Sequence, residues 1–324
     1  MLSARPPRTI EVLSAGPLTT IQDLGRPGWA HIGVPRSGAA DRDSLTRANL
    51  LVGNTAGAAA LETTLVGPKL HAHGDVVVAL TGARVGAMIG AVEVAMDQPV
   101  ELMTGEVLRV GTAQEGLRTY IAFQGGIETE RTLGSSASDL LTGLGPPALA
   151  RGDVLALGVE LAAGAALPTA AALPTAPALP TAATLPTAAA LPAITALPAK
   201  TAGAAPAAAS DQGPLRLVLG PRQDWFTDAA SRLLTTETYT VSPASSRVGI
   251  RLEGPALERA ITDELRSEGL VSGALQVPPD GHPILLLADH PTTGGYPVIG
   301  VVREADLPRA AQLRPGQSLR FTSA

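Results

Sequence analysis

The chain has 324 residues, a formal net charge of −5, 45% apolar and only 2% aromatic residues, and no cysteine. The acidic balance argues against a nucleic-acid binder, which carries a basic face. The lack of cysteine excludes a disulfide framework, a thiolate nucleophile and a Cys-ligated metal. The length suits two domains, and with so few aromatics their cores must be built from Val, Leu, Ile and Ala. The N-terminal MLSARPPRTIEV has no apolar h-region, and no apolar run approaches the ~20 residues of a membrane span. A cytoplasmic location without membrane attachment is therefore expected.

Ile10 to Leu13 reads as a short strand, followed by a long polar and turn-rich segment, residues 14–41. Asp41 is an N-cap candidate. Behind it Leu45, Ala48, Leu51 and Val52 fall at helical spacing, with Gly53-Asn54 as the stop. From Leu61 to Gly158 the pattern is β. Val76–Leu80, Val85–Ile89, Val92–Met96, Val107–Val110, Thr119–Phe123 and Val154–Leu157 are short apolar or alternating runs between turns, the signature of an antiparallel barrel or sandwich. Ser135 to Leu141 fits one short helix ended near Gly143.

Gly105–Val110, Gly152–Leu157 and Gly316–Phe321 share one short pattern, a Gly turn and a polar residue leading into a strand, which hints at two related β lobes. Between them, Leu-Pro recurs every six residues from 167/168 to 197/198, mostly among Ala and Thr. Proline removes the backbone donor and restricts its predecessor, so residues 159–212 read as an extended linker between a lobe at 1–158 and a lobe at 213–324.

The second lobe opens on a strand at Leu215–Leu219, then a short helix capped by Asp224 and carrying Trp225, Phe226, Ala229 and Leu233. Arg247 to Glu253 alternates like a strand. Pro255 fits the first turn of a helix with Leu257, Ala260, Ile261 and Leu265 as its stripe and Gly269 as its stop. Ile284–Ala288 and Val298–Val302 are buried-strand candidates, and Ser318–Phe321 is the last strand. Between the two buried strands lies a loop of small, polar and turn-forming residues, Asp289-His290-Pro291-Thr292-Thr293-Gly294-Gly295-Tyr296-Pro297. Strands hold such a loop while its hydroxyls, carboxylate and amides stay available to a ligand.

Several familiar signatures are missing. There is no P-loop motif. Gly143-Leu144-Gly145-Pro146-Pro147-Ala148 imitates a dinucleotide fingerprint but has prolines where a helix should start. Gly269-Leu270-Val271-Ser272-Gly273 is not a nucleophile elbow. His71 and His73 share one face of a strand, but no third ligand stands near them in sequence, so two partly exposed strand histidines are expected instead of a metal site. His31 and His290 are the candidate acid–base groups.

Taken in series, several motifs resemble the biotin-dependent carboxyltransferase family, which includes allophanate hydrolase subunit 2, the KipI antagonist and the 5-oxoprolinase C-subunit. They are Gly16–Gly28, Gly33–Ala39, Asn49–Asn54, Leu80–Ala83, Gly116–Tyr120, Gly125–Ile127, Asp139–Gly145, Arg247–Gly249, Gln276–Gly281 and Thr292–Pro297. The linker is longer than the family leads one to expect, and His290-Pro291 stands where a more polar pair ending in Gln is expected.

The resemblance implies a mainly β protein with a few helices (α+β), built as two cyclophilin-like β-barrel lobes. It implies the C-subunit of an ATP-dependent 5-oxoprolinase-type amidohydrolase, opening the 5-oxoproline lactam to glutamate. Its implied partners are a KipI-like 5-oxoprolinase B-subunit and an A-subunit, with ATP used on one of these partners. Carboxyl transfer from a carboxybiotin carrier, or non-enzymatic antagonism of a KipI-like kinase inhibitor, are the alternatives. Neither Lys69 nor Lys200 sits in a Met-Lys-Met context, so no biotin is expected on this chain. The expected site joins the first loop to the glycine loop. Gln22, Asp23 and Arg26 orient substrate, Arg26 by forking onto a carboxylate. Thr292, Thr293 and the Gly294 and Gly295 amides bind a polarised carbonyl or oxyanion. Asp289 and Tyr296 support the loop or relay protons, so that Asp289, Thr293 and Tyr296 form the catalytic set.

Overall fold

The computed structural model describes residues 8–158 and 213–324; the expected linker at 159–212 lies outside the described residues. The described residues divide into two compact units, 8–26 with 37–158, and 27–36 with 213–324. Both are mainly β, with three α-helices in all among the described residues. No helix there is long and apolar enough to cross a membrane.

The first unit contains β1 (Thr9–Ser14), β2 (Thr19–Gln22), α1 (Arg42–Leu51), β3 (Ala60–Thr64), β4 (Lys69–Ala72), β5 (Val76–Ile89), β6 (Val92–Val94), β7 (Pro99–Leu102), β8 (Val107–Phe123), β9 (Ile127–Glu128) and β10 (Val154–Leu157). Its sheet runs β2-β3-β8-β4-β1-β10-β9, with β5 on β8 carrying β6 and β7. The Ile127 N–H donates to the Ala59 carbonyl just before β3 (3.0 Å), so the path returns on itself as a nearly closed barrel. Successive strand residues point to opposite faces. Ile121 and Phe123 of β8 therefore fill the barrel with Ile10, Val12, Leu61, Leu70, Val78 and Leu80. Tyr120 and Ala122 face outward beneath Leu45, Ala48 and Leu51 of α1. Each fully buried Leu, Ile or Phe contributes about 1.5–3 kcal/mol of transfer free energy.

Asp41 caps α1 as the sequence suggests, its carboxylate accepting from the Ser44 N–H (3.0 Å). The runs 76–80 and 85–89 belong to one long strand, as do 107–110 and 119–123. Gly82 and Gly116, which look like turn residues, instead sit at positive φ inside the β5–β8 ribbon, whose register shifts between Gly82 and Val85. A glycine within a strand pattern marks such a bulge. The predicted helix at 135–141 is absent, because its backbone donors are taken elsewhere. The Asp139 N–H, which would bond the Ser135 carbonyl in a helix, reaches the Leu144 carbonyl, and the Leu141 N–H turns to the Asp139 carboxylate.

The second unit contains β11 (Leu215–Leu219), α2 (Asp228–Thr236), β12 (Tyr239–Val241), β13 (Gly249–Glu253), β14 (Glu268–Gly269), β15 (Ala274–Gln276), β16 (Ile284–Leu286), β17 (Thr293–Gly294), β18 (Val298–Val302), α3 (Leu307–Ala311), β19 (Ser318–Leu319) and β20 (Phe321–Ser323). The order is β19-β12-β13-β16-β15-β18-β11-β20. Its two edges, β19 and β20, are consecutive in the chain with only Arg320 between them. The second barrel therefore closes through its own last strand, around Leu217, Tyr239, Leu252, Leu275, Leu285, Ile299 and Phe321.

Two helix expectations fail here. Asp224 lies in a 3-10 turn, and Thr227 caps α2 by accepting from the Ala230 N–H, so Ala230 and Leu234 are the buried helix residues, Leu233 packs against the same core from a partly buried position, and Ala229 is exposed. Residues 255–267 form no helix. The Leu257 N–H goes to Gly281 and the Ala260 N–H to Trp225, so tertiary partners replace the i−4 ladder that the apolar spacing implied. The recurring glycine pattern does have a common geometry. Gly105, Gly152 and Gly316 all have φ between 84° and 94°. Each donates its N–H over 2.8 Å to a strand carbonyl, of Ala72, Val12 and Val241 respectively. A Cβ would meet nothing within 4 Å at any of the three, so the backbone angle and not crowding calls for glycine.

Candidate functional site

In the first unit, Gln22, Asp23 and Arg26 converge on the segment 132–145. Asp23 accepts from Gly25 N–H (2.7 Å), Ser135 Oγ (2.6 Å) and Ser136 N–H (2.7 Å), so its carboxylate organises the loop. Gln22 is fully buried; its Nε2 donates to Thr20 Oγ1 and to the Ser138 carbonyl, both at 3.0 Å. Arg26 is 1% exposed and donates to the carbonyls of Ala137 and Thr132. Gly38 holds the far side of this loop at φ +89°, where a Cβ would lie 2.6 Å from the Gly25 nitrogen.

Three buried polar atoms of this cluster have no hydrogen-bond partner: Gln22 Oε1, Arg26 Nη1 and Ser138 Oγ. Buried polar atoms are nearly always paired, because a lost partner costs about 1–3 kcal/mol, so three orphans on neighbouring residues mark a place equipped for a ligand or water. The set offers a guanidinium donor, a hydroxyl and an amide-oxygen acceptor. That complement suits a group carrying both a carbonyl and an N–H. Ser138 is not among the residues that sequence reasoning singles out. Its signal is the run Ser135-Ser136-Ala137-Ser138, which helix capping explains equally well.

Beside this cluster lies a second buried network. Tyr120 Oη donates to Glu62 Oε2 (2.7 Å) and accepts the Asp41 N–H (2.8 Å). Glu62 also accepts the Ala40 N–H (2.9 Å) and faces Arg118 at 3.5 Å. Burial, then the Glu62 charge, pushes the Tyr120 phenol well above its ordinary range. A proton held this firmly makes Tyr120 a brace between α1 and the barrel.

In the second unit, the glycine loop is anchored at its start. Asp289 is 0% and Arg247 2% exposed, joined by two bonds, Nε to Oδ2 at 2.8 Å and Nη2 to Oδ1 at 3.0 Å. His290 is buried, and its Nδ1 donates to the Pro291 carbonyl (2.7 Å), which assigns the proton to that nitrogen. Thr293 and Gly294 form β17, paired with Gly269 and Glu268 of β14. At Gly294 a Cβ would lie 2.7 Å from Gln276 Nε2 and 2.8 Å from Leu270 Cδ1, so a side chain there would push the ends of these two residues aside. Gln276 Nε2 also donates to the Tyr296 carbonyl (3.2 Å). Thr292, Thr293, Gly294 and Gly295 are half-buried, and Tyr296 is exposed.

Arg259, which sequence reasoning passes over, reaches this region from the irregular segment before β14. It donates to the Val277 carbonyl, lies within electrostatic reach of Tyr296 and Asp280, and leaves its buried Nε without a partner. Its position depends on 255–267 being unwound, so a helical reading of that stretch does not find it. His31 donates Nδ1 to the Gly28 carbonyl and is exposed in the 27–36 segment.

The comparisons with known proteins agree with this architecture. The carboxyltransferase domain, subdomains A and B, matches residues 32–323. The 5-oxoprolinase C-subunit of Escherichia coli (strain K12) is 33% identical over 315 residues, covering 96% of this chain and 90% of that protein. The solved structure of TTHA0988 matches with TM-score 0.78 and 33% identity over 100% of this chain and 57% of its own. That of the K. lactis urea amidolyase matches with TM-score 0.81 and 29% identity, covering 99% of this chain but only 19% of its own. The present chain is thus similar to nearly the whole of one relative and to a single region of larger ones. With two nearly closed barrels and a family match across almost its entire length, the chain belongs to the carboxyltransferase domain family, subdomains A and B.

Proposed function

We propose that this chain is the C-subunit of an ATP-dependent 5-oxoprolinase-type amidohydrolase, opening the 5-oxoproline lactam to glutamate together with a KipI-like B-subunit and an A-subunit. The observation that carries this reading is the extent of the match: 96% of this chain against 90% of the bacterial 5-oxoprolinase protein. In larger relatives such as the K. lactis urea amidolyase the same fold is 19% of a longer chain. ATP is used on one of the partners, and no biotin is attached to this chain.

A lactam presents one carbonyl and one N–H. Arg26 Nη1 and Ser138 Oγ are suited to donate to the carbonyl, and Gln22 Oε1 to accept from the N–H, which would use the three orphan atoms of the first unit. Asp23 holds that loop in place. On the second unit, Thr292, Thr293 and the amides of Gly294 and Gly295 form a separate candidate set for a polarised carbonyl or oxyanion, with Thr293 and Tyr296 as its proton-handling pair. Asp289, fixed by Arg247, supports the loop. Because the fold alone hosts more than one chemistry, carboxyl transfer from a carboxybiotin carrier is the second reading, favoured by the family description and by the urea amidolyase match.

The test is steady-state kinetics of the complex of this chain with its A- and B-type partners, using Ser138→Ala. Loss of one hydrogen bond of about 1–1.5 kcal/mol should raise KM for 5-oxoproline roughly tenfold. An unchanged KM in a folded complex would remove Ser138 from the binding set.

A further inference from the structure

We propose that Glu11, His71 and His73 form a divalent transition-metal site on the outer face of the first barrel, separate from the loops described above. Glu11 stands on β1 and the two histidines on and just beyond β4, and the antiparallel register places Glu11 directly opposite His71. His73 N–H bonds the Thr9 carbonyl, which extends the same ladder and brings the second imidazole to the same face. One potential ligand atom from each of the three side chains lies within 4.8 Å of the others. Glu11 Oε2 is 3.0 Å from His73 Nε2 and 3.5 Å from His71 Nδ1. The imidazole centroids are 4.4 Å apart, edge to face.

The sequence offers only two ligands two residues apart; strand pairing supplies the third from far earlier in the chain. Two imidazoles and a carboxylate are the donor set of three-ligand zinc sites that keep an open position. Imidazole nitrogen favours Zn2+, Ni2+ and Cu2+ over Mg2+ or Ca2+, with Cu2+ bound most tightly in the divalent series. All three side chains are part-exposed, at 34%, 27% and 44%, so an ion can enter and keep water on its outer side. An ion here would clip β1 to β4 across the barrel wall.

The experiment uses the untagged full chain, stripped with chelator and titrated calorimetrically with ZnCl2 and with CuCl2. The expected result is one saturable site, tighter for Cu2+ than Zn2+. His71→Ala, His73→Ala and Glu11→Gln should each weaken it at least about tenfold, while His31→Ala and His282→Ala leave it unchanged. Circular dichroism of each variant confirms folding. Saturable binding that survives in the folded His71→Ala/His73→Ala double variant would overturn the assignment. So would the absence of saturable binding up to about 1 mM, the weak limit at which a site gains only ~4 kcal/mol.

Discussion

Replacing Asp289 with Ala should be among the most damaging single changes in the second unit. The Asp289–Arg247 pair is almost wholly buried and bidentate at 2.8 and 3.0 Å. With an effective dielectric near 20, the attraction at 2.8 Å is roughly 6 kcal/mol. Desolvating both charges offsets much of that, so the intact pair contributes little net stability. Removing Asp289 alone is different, because the Arg247 guanidinium stays buried without its carboxylate; the expected cost is about 3–5 kcal/mol. A double variant, Arg247→Met/Asp289→Leu, removes both charges at similar volume and should cost less than either single truncation. Urea unfolding followed by tryptophan fluorescence is a suitable assay, since Trp29 and Trp225 both belong to the second unit. Single-variant costs below about 1 kcal/mol, or a double-variant cost equal to the sum of the singles, would refute the reasoning.

Other consequences follow from the same geometry. Tyr120→Phe leaves the Asp41 N–H and one Glu62 oxygen without the phenol and should cost about 2–3 kcal/mol, read from the unfolding midpoint of the first unit. Gly294→Ala places a methyl against Gln276 and Leu270 and should disturb the glycine loop, costing about 1–3 kcal/mol with a parallel loss of complex activity. The Asp306 carboxyl is held below its ordinary range, first by its hydrogen bonds to Arg216, against the opposing effect of burial. Its lowered folded pKa means that its stabilisation is present at neutral pH and is lost as pH falls from about 4 through that folded value. Asp306→Asn should therefore be less stable than the parent at pH 7, with the gap closing below about pH 4 in urea titrations at the two pH values. Arg216 is half-exposed, so screening keeps the difference near 1 kcal/mol or less.

The fold was legible where a local pattern had no competitor. Asp41 followed by Leu45, Ala48 and Leu51 reads as a capped helix, and Leu215–Leu219 and Val298–Val302 as strands, because periodicity and turn residues agree. It was illegible where tertiary partners captured backbone donors. Ser135–Leu141 and 255–267 both read as helices, yet the Asp139 N–H goes to the Leu144 carbonyl and the Ala260 and Ile261 N–H groups go to Trp225, which are donors a helix would use. The same cause hid part of the candidate site. Gln22 and Arg26 are visible as polar residues in a turn-rich stretch, whereas Ser138 and Arg259 acquire meaning only from those unwound segments. Glu11 is invisible as a partner of His71 because strand register, not sequence distance, brings them together. Asp289 is visible in the loop, but its bidentate pairing with buried Arg247 is a matter of tertiary placement that spacing does not encode.

The most direct measurement is glutamate release from 5-oxoproline and ATP by this chain co-purified with the proposed A- and B-type partners. The account predicts release that disappears when this chain is omitted and falls sharply with Thr293→Ala in an intact complex. No release from a verified complex, or release that is indifferent to omitting this chain, would contradict it, and activity dependent on a carboxybiotin carrier would assign the chain to carboxyl transfer instead.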